Sequence, residues 1–109
     1  MDKTETKRKI AAYVGFAIKS GGVVYGLDSL KTARSKRPPA LILADNASSE
    51  KTKKEAAFFA ADRKIPLLII DGLSDSLRKP NVKIMSILDK GLAARILETA
   101  KGLDGESES

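Results

Sequence analysis

Apolar positions along this chain follow two rhythms that alternate. Short, wholly apolar runs occur at Val23-Val24-Tyr25, at Ala40-Leu41-Ile42-Leu43-Ala44 and at Leu67-Leu68-Ile69-Ile70, with a fourth apolar segment over residues 82–88. Runs of this length predict strands; the unbroken one at 40–44 has the pattern of a strand buried on both faces, and that at 67–70 is again wholly apolar. Between them apolar residues recur at helical spacing. Residues 1–9 begin frayed and then enter a helix reaching about Lys19, with Ile10, Tyr13, Val14 and Ala17 on its inner stripe. A second helix is predicted over 27–35, with Leu27, Leu30 and Ala33 inward and Asp28, Lys31 and Arg34 toward solvent. The third is the clearest: Thr52, Ala56, Phe59, Ala60 and Arg63 share one stripe, and Phe58 on its flank is assigned to the core with Phe59. Leu73 to Leu77 form a short helical turn, and a last helix buries Leu92, Ala93, Ile96, Leu97 and Ala100.

The punctuation agrees with these elements. Ser20-Gly21-Gly22 is a helix stop, because glycine just past the last periodic residue supports a left-handed cap. Pro38 and Pro39 end the second helix. Ser48 or Ser49 caps the third helix, Glu50 complements the dipole in its first turn, and Asp89 caps the last, which Gly102 ends. The order of elements implies an α/β fold, a three-layer α/β/α sandwich around a four-stranded mixed sheet that is at least partly parallel because helices join its strands. Residues 1–103 form a single domain, and 104–109 an acidic tail expected to be disordered.

Composition narrows the function. With neither cysteine nor histidine, disulfides, thiolate chemistry and the commonest general base and metal ligand are excluded. No apolar run reaches the roughly 20 residues that span a bilayer, and the charged N-terminus is not followed by a signal-type core, so the chain reads as cytoplasmic. Net charge is +6, and the last six residues hold Asp104, Glu106 and Glu108, so without those three negative charges residues 1–103 carry +9. Such a balance favours anionic partners, and nucleic acid before a membrane, since no basic amphipathic helix shows a Trp or Phe face.

Candidate chemistry centres on residues 20–31. Gly26 stands where a strand gives way to a helix, so the amides that follow would face outward with the helix dipole behind them, a seat for phosphate. An ordinary turn that needs glycine only for its backbone angles fits the same residues. Lys31 and Arg34 lie one turn apart, and Arg78-Lys79-Pro80-Asn81 is a basic loop; a solvated charged face is the competing account of all four basic residues. Asp45 and Asp71 each end an apolar strand, where an α/β sheet could hold Mg²⁺ for phosphoryl transfer or receiver-like chemistry. A third acidic ligand and a P-loop lysine pattern are both missing, and Asp45 is explained as orienting the loop before a helix. No catalytic residue, metal or cofactor is therefore assigned.

Val14-Gly15-Phe16-Ala17, Gly26, Lys31, the run from Leu41-Ile42-Leu43-Ala44 through Asp45-Asn46-Ala47-Ser48-Ser49, Lys53-Lys54, Ile65-Pro66 and Asp89-Lys90-Gly91-Leu92-Ala93 together resemble the bacterial YlxQ-type proteins of the ribosomal L-seven-Ae, L-thirty-e and pelota-type RNA-binding superfamily. The likeness spans about residues 8–100. It implies a three-layer sandwich that binds RNA without catalysis; many members recognise kink-turns, internal loops with sheared G·A pairs. The expected partner is structured RNA, ribosomal or other non-coding, and the chain is read as a monomer. The resemblance places the RNA surface on Gly26, Leu27, Asp28, Ser29 and Lys31 after the first strand, to which the helical spacing adds Arg34 one turn on. It adds Asn46 and Ala47 after the second strand, and Leu77, Arg78 and Lys79 before the last. Kink-turn readers usually carry Asn or Lys and then Glu or Gln two and three residues beyond the glycine, with lysine six beyond; this chain has Asp28, Ser29 and Thr32. A protein-contacting adaptor of the translation apparatus is the second class that the resemblance allows.

Overall fold

The computed structural model describes residues 3–26, 39–70, 73 and 82–108. The helix predicted over 27–35, most of the turn after Leu73 and the basic loop at 78–81 lie outside these residues. The described elements are α1 (Lys3–Lys19), β1 (Val23–Tyr25), β2 (Leu41–Asp45), α2 (Glu50–Arg63), β3 (Leu67–Ile70), β4 (Ile84–Ile87) and α3 (Lys90–Glu108). The expected bounds of β1 and β3 match. β2 sits one residue later than its apolar run, and β4 starts at Ile84, because Val82 and Lys83 precede the ladder.

The sheet is mixed, in the order β1-β4-β2-β3. β2 and β3, the pair joined by α2, are parallel, while β4 runs antiparallel to both β1 and β2. Side-chain alternation then builds two cores. From the buried central strands, Leu41, Leu43, Met85 and Ile87 face α1 and α3, which pack on each other, whereas Ile42, Ala44 and Ile84 face α2. That two-sided burial is why β2 carries no polar residue before Asp45. Leu73 is fully buried in the larger core. Ser86 is wholly buried on β4, and its hydroxyl has no hydrogen-bond partner among the described residues.

The helices bury the stripes their periodicity predicts: Ile10, Val14 and Ala17 on α1, joined by Thr6 one turn earlier; Ala56, Phe59 and Ala60 on α2; Ala93, Ile96 and Ala100 on α3. Two expectations, for Phe58 and Gly102, need correction. Phe58 is not core but 76% exposed, because helical geometry sets it about 100° from Phe59 and turns it away from the sheet. Arg63, the polar member of the α2 stripe, is exposed, with its guanidinium lying 5.3 Å from the centre of the Phe59 ring, as a charged end of that stripe can. Gly102 does not end α3, which runs to Glu108; an interior glycine costs only about 1 kcal/mol, too little to stop a helix by itself.

Three helix ends are set as the sequence implies. Gly21, at φ 73°, ends α1: its amide donates to Ile18 and that of Gly22 to Ala17, both at 3.0 Å. The Ser49 hydroxyl accepts from the Thr52 amide at 3.1 Å, and the Asp89 carboxylate from the Leu92 amide at 2.9 Å, so these two cap α2 and α3. No helix among the described residues is long and apolar enough to cross a membrane.

Candidate nucleic-acid interface

Sheet register brings separated parts of the chain to one edge. Because β4 is antiparallel to its neighbours, its start lies beside the ends of β1 and β2, and the end of β3 is level with them. Backbone hydrogen bonds tie this edge together. The Gly26 amide donates to the Ile84 carbonyl, that of Asp45 to Lys83 and that of Asn46 to Ile70, each at 2.8 Å. The chain leaving β1, the loop after β2 and the entry to β4 thus converge within three neighbouring strands.

Gly26 has φ 83°, a left-handed conformation that glycine adopts without steric cost. A Cβ added there would meet nothing within 4 Å, so the glycine answers a backbone requirement and not a lack of space. Its own amide is taken by Ile84, so any phosphate seat at this turn must use amides beyond it, which lie outside the described residues.

The loop after β2 is held from within. The Asp45 side chain, 3% exposed, accepts the Ala47 amide at 2.9 Å, while its carbonyl accepts the amide of Ser48. This is the loop-orienting role expected of Asp45. Ser48 is buried and its hydroxyl has no partner among the described residues, while Ser49 caps the helix. Asn46 and Ala47 are left exposed at the tip. Lys53 reaches back one turn along α2, with its ammonium 3.3 Å from Asn46 Oδ1 and 3.6 Å from Glu50. An ammonium can only donate, so this contact fixes which end of the Asn46 amide faces the helix.

Of the predicted site residues, Gly26, Asn46 and Ala47 meet at this edge, whereas Leu27, Asp28, Ser29, Lys31, Arg34, Leu77, Arg78 and Lys79 lie outside the described residues, as does Asp71. No group of three or more acidic side chains able to hold a metal ion occurs among the described residues. One exposed cation at the edge escaped sequence reasoning, Lys83, because it was absorbed into the strand predicted over 82–88. Its signal was present: a lone charge near the start of an otherwise apolar segment marks a strand boundary.

No family model matches the chain, and no curated protein matches it in sequence. Solved structures do share its fold. A Bacillus halodurans protein of unknown function superposes with a TM-score of 0.73 at 16% identity, covering 84% of this chain and 95% of the other. The Giardia lamblia 15.5kD RNA binding protein gives 0.69 at 16% identity, covering 91% and 90%. At this identity the likeness establishes the architecture.

Proposed function

We propose that the chain is a non-catalytic RNA-binding module that seats structured RNA on the sheet edge formed by the ends of β1 and β2 and the start of β4. The observation that carries this reading is the convergence of Gly26, the Asp45–Ser49 loop and Lys83 at one edge of a sandwich shared, over nine-tenths of the chain, with an RNA-binding protein. The +9 charge of residues 1–103 supports an anionic partner. Asp45, the residue on which a Mg²⁺ reading would depend, already holds its own loop.

The finer reading is a YlxQ-type factor of the translation apparatus whose RNA contains a kink-turn or a similar internal loop, held by the eleven residues named above. Asp28 and Ser29 replace the side chains that read bases in kink-turn binders. An ionised Asp accepts but cannot donate, and each lost bidentate base contact removes about 1–3 kcal/mol of discrimination, so binding is shape-driven.

The test is a fluorescence titration against a kink-turn RNA and the same RNA with its G·A pairs replaced by Watson–Crick pairs. The wild type should bind both with a steep salt dependence and little preference. Lys31→Glu with Arg34→Glu should weaken both complexes without unfolding the protein. Asp28→Asn with Ser29→Glu should raise preference for the kink-turn at least about tenfold. Salt-independent binding, or none, would refute the RNA reading; strong discrimination by the wild type would refute only its shape-driven form.

A further inference from the structure

Four charged side chains stand at or beside the described part of this edge, and three are already engaged. Asp45 is buried and turned into its own loop. Lys53 lies between Asn46 and Glu50, which occupy its ammonium. Lys83 is different: it is exposed, and its side chain makes no hydrogen bond or ion pair among the described residues.

Its backbone, by contrast, is held tightly. The Lys83 carbonyl accepts the Asp45 amide at 2.8 Å, and the next carbonyl, of Ile84, accepts the Gly26 amide at 2.8 Å. β4 lies between β1 and β2, and strands are about 4.8 Å apart, so Lys83 stands midway between two turns separated by about 10 Å. A strand of RNA lying across both turns must pass over it. We infer that Lys83 is the central phosphate contact of the interface, a pinned backbone position carrying an ammonium on a flexible stem. This deepens the RNA-binding reading and rests on it.

The ligand chemistry follows from the side chain. An ammonium is a compact point charge that meets a phosphodiester without regard to base, so Lys83 supplies affinity and register but no sequence discrimination. Charge alone does not single out this residue, since Lys64 and Lys90 stand together at the opposite edge with Pro39 and Pro66. What sets Lys83 apart is its place between the two turns.

The experiment compares wild type, Lys83→Gln, Lys83→Arg and, as a control at the far edge, Lys90→Gln, each checked for an unchanged thermal midpoint. All are titrated at several salt concentrations with the two RNAs described above. None of these side chains makes the backbone bonds that shape the edge. Lys83→Gln should lose about five- to tenfold in affinity near 0.1 M salt and flatten the salt slope by about 0.7–0.9, equally for both RNAs. Lys83→Arg should keep the wild-type slope, and so should Lys90→Gln. Wild-type affinity and slope in folded Lys83→Gln would overturn the assignment while leaving RNA binding intact, as would an equal loss in Lys90→Gln. A loss confined to one of the RNAs would also overturn it, by making Lys83 a discriminating contact. A wild type that binds neither RNA would remove the RNA reading itself, and a separate arm of the experiment reports that outcome.

Discussion

Lys64 ends α2 in the left-handed region, at φ 58°, the only described residue other than glycine with a positive φ. Its amide and that of Ile65 close the helix on Ala61 and Ala60. An L side chain pays about 1–2 kcal/mol for this conformation, and glycine returns about 0.5–1 of it through its greater freedom when unfolded. Lys64→Gly should therefore stabilise the protein by roughly 0.5–1 kcal/mol in urea unfolding at constant slope. Gly26→Ala should do the reverse, costing about 1 kcal/mol, because φ 83° is strained for alanine although space is open around it. Asp45→Ala removes the acceptor of the Ala47 amide and should cost about 1–2 kcal/mol, visible as a drop in thermal midpoint. Phosphohydrolase assays with Mg²⁺ should read background for both wild type and variant; turnover lost in the variant would contradict a binding module. The glycine was legible in the sequence and the lysine was not. Nothing in a lysine announces a left-handed cap, and the following Ile65-Pro66 says only that the helix has ended.

At the scale of elements, α2 shows both the reach and the failure of periodicity. Thr52, Ala56, Phe59 and Ala60 were correctly read as one stripe, and Phe59 is buried among Ile42, Ala44 and Ile84. Phe58 was assigned to the core as the flank of that stripe, whereas its angular position sends it to solvent. Adjacent phenylalanines should thus behave differently on truncation. Phe59→Ala should cost about 3–5 kcal/mol and Phe58→Ala no more than about 0.5, measured by paired denaturant titrations. A comparable loss at Phe58 would mean that its ring packs against part of the chain. β4 shows the same limit: the apolar run predicts a strand, but its first paired residue, Ile84, is set by its partner Ala44, and Met85 next to it pairs with Leu43 and with Tyr25, the last residue of β1.

For the whole molecule, charge distribution yields a kinetic expectation. Deleting residues 104–109 removes three acids and raises the net charge from +6 to +9, which should speed association with RNA at low ionic strength. Stopped-flow rates for full-length and truncated protein should converge as salt shortens the Debye length to a few ångströms. A difference that persists in high salt would point to a direct contact by the tail. The sequence by itself determined what local physics controls: which segments are strands, which helix stripes are apolar, where the N-caps Ser49 and Asp89 and the turning glycines Gly21 and Gly26 fall, and the sign of the charge. These depend on residues within a turn or two of one another. Only the tertiary structure decided that β4 inserts between β1 and β2, and that insertion makes Gly26, Asp45 and Lys83 neighbours. Val23 pairs with Ile87 across more than half the chain, and such pairing is selected by the burial of two faces at once, a property of the assembled sheet that no single segment carries.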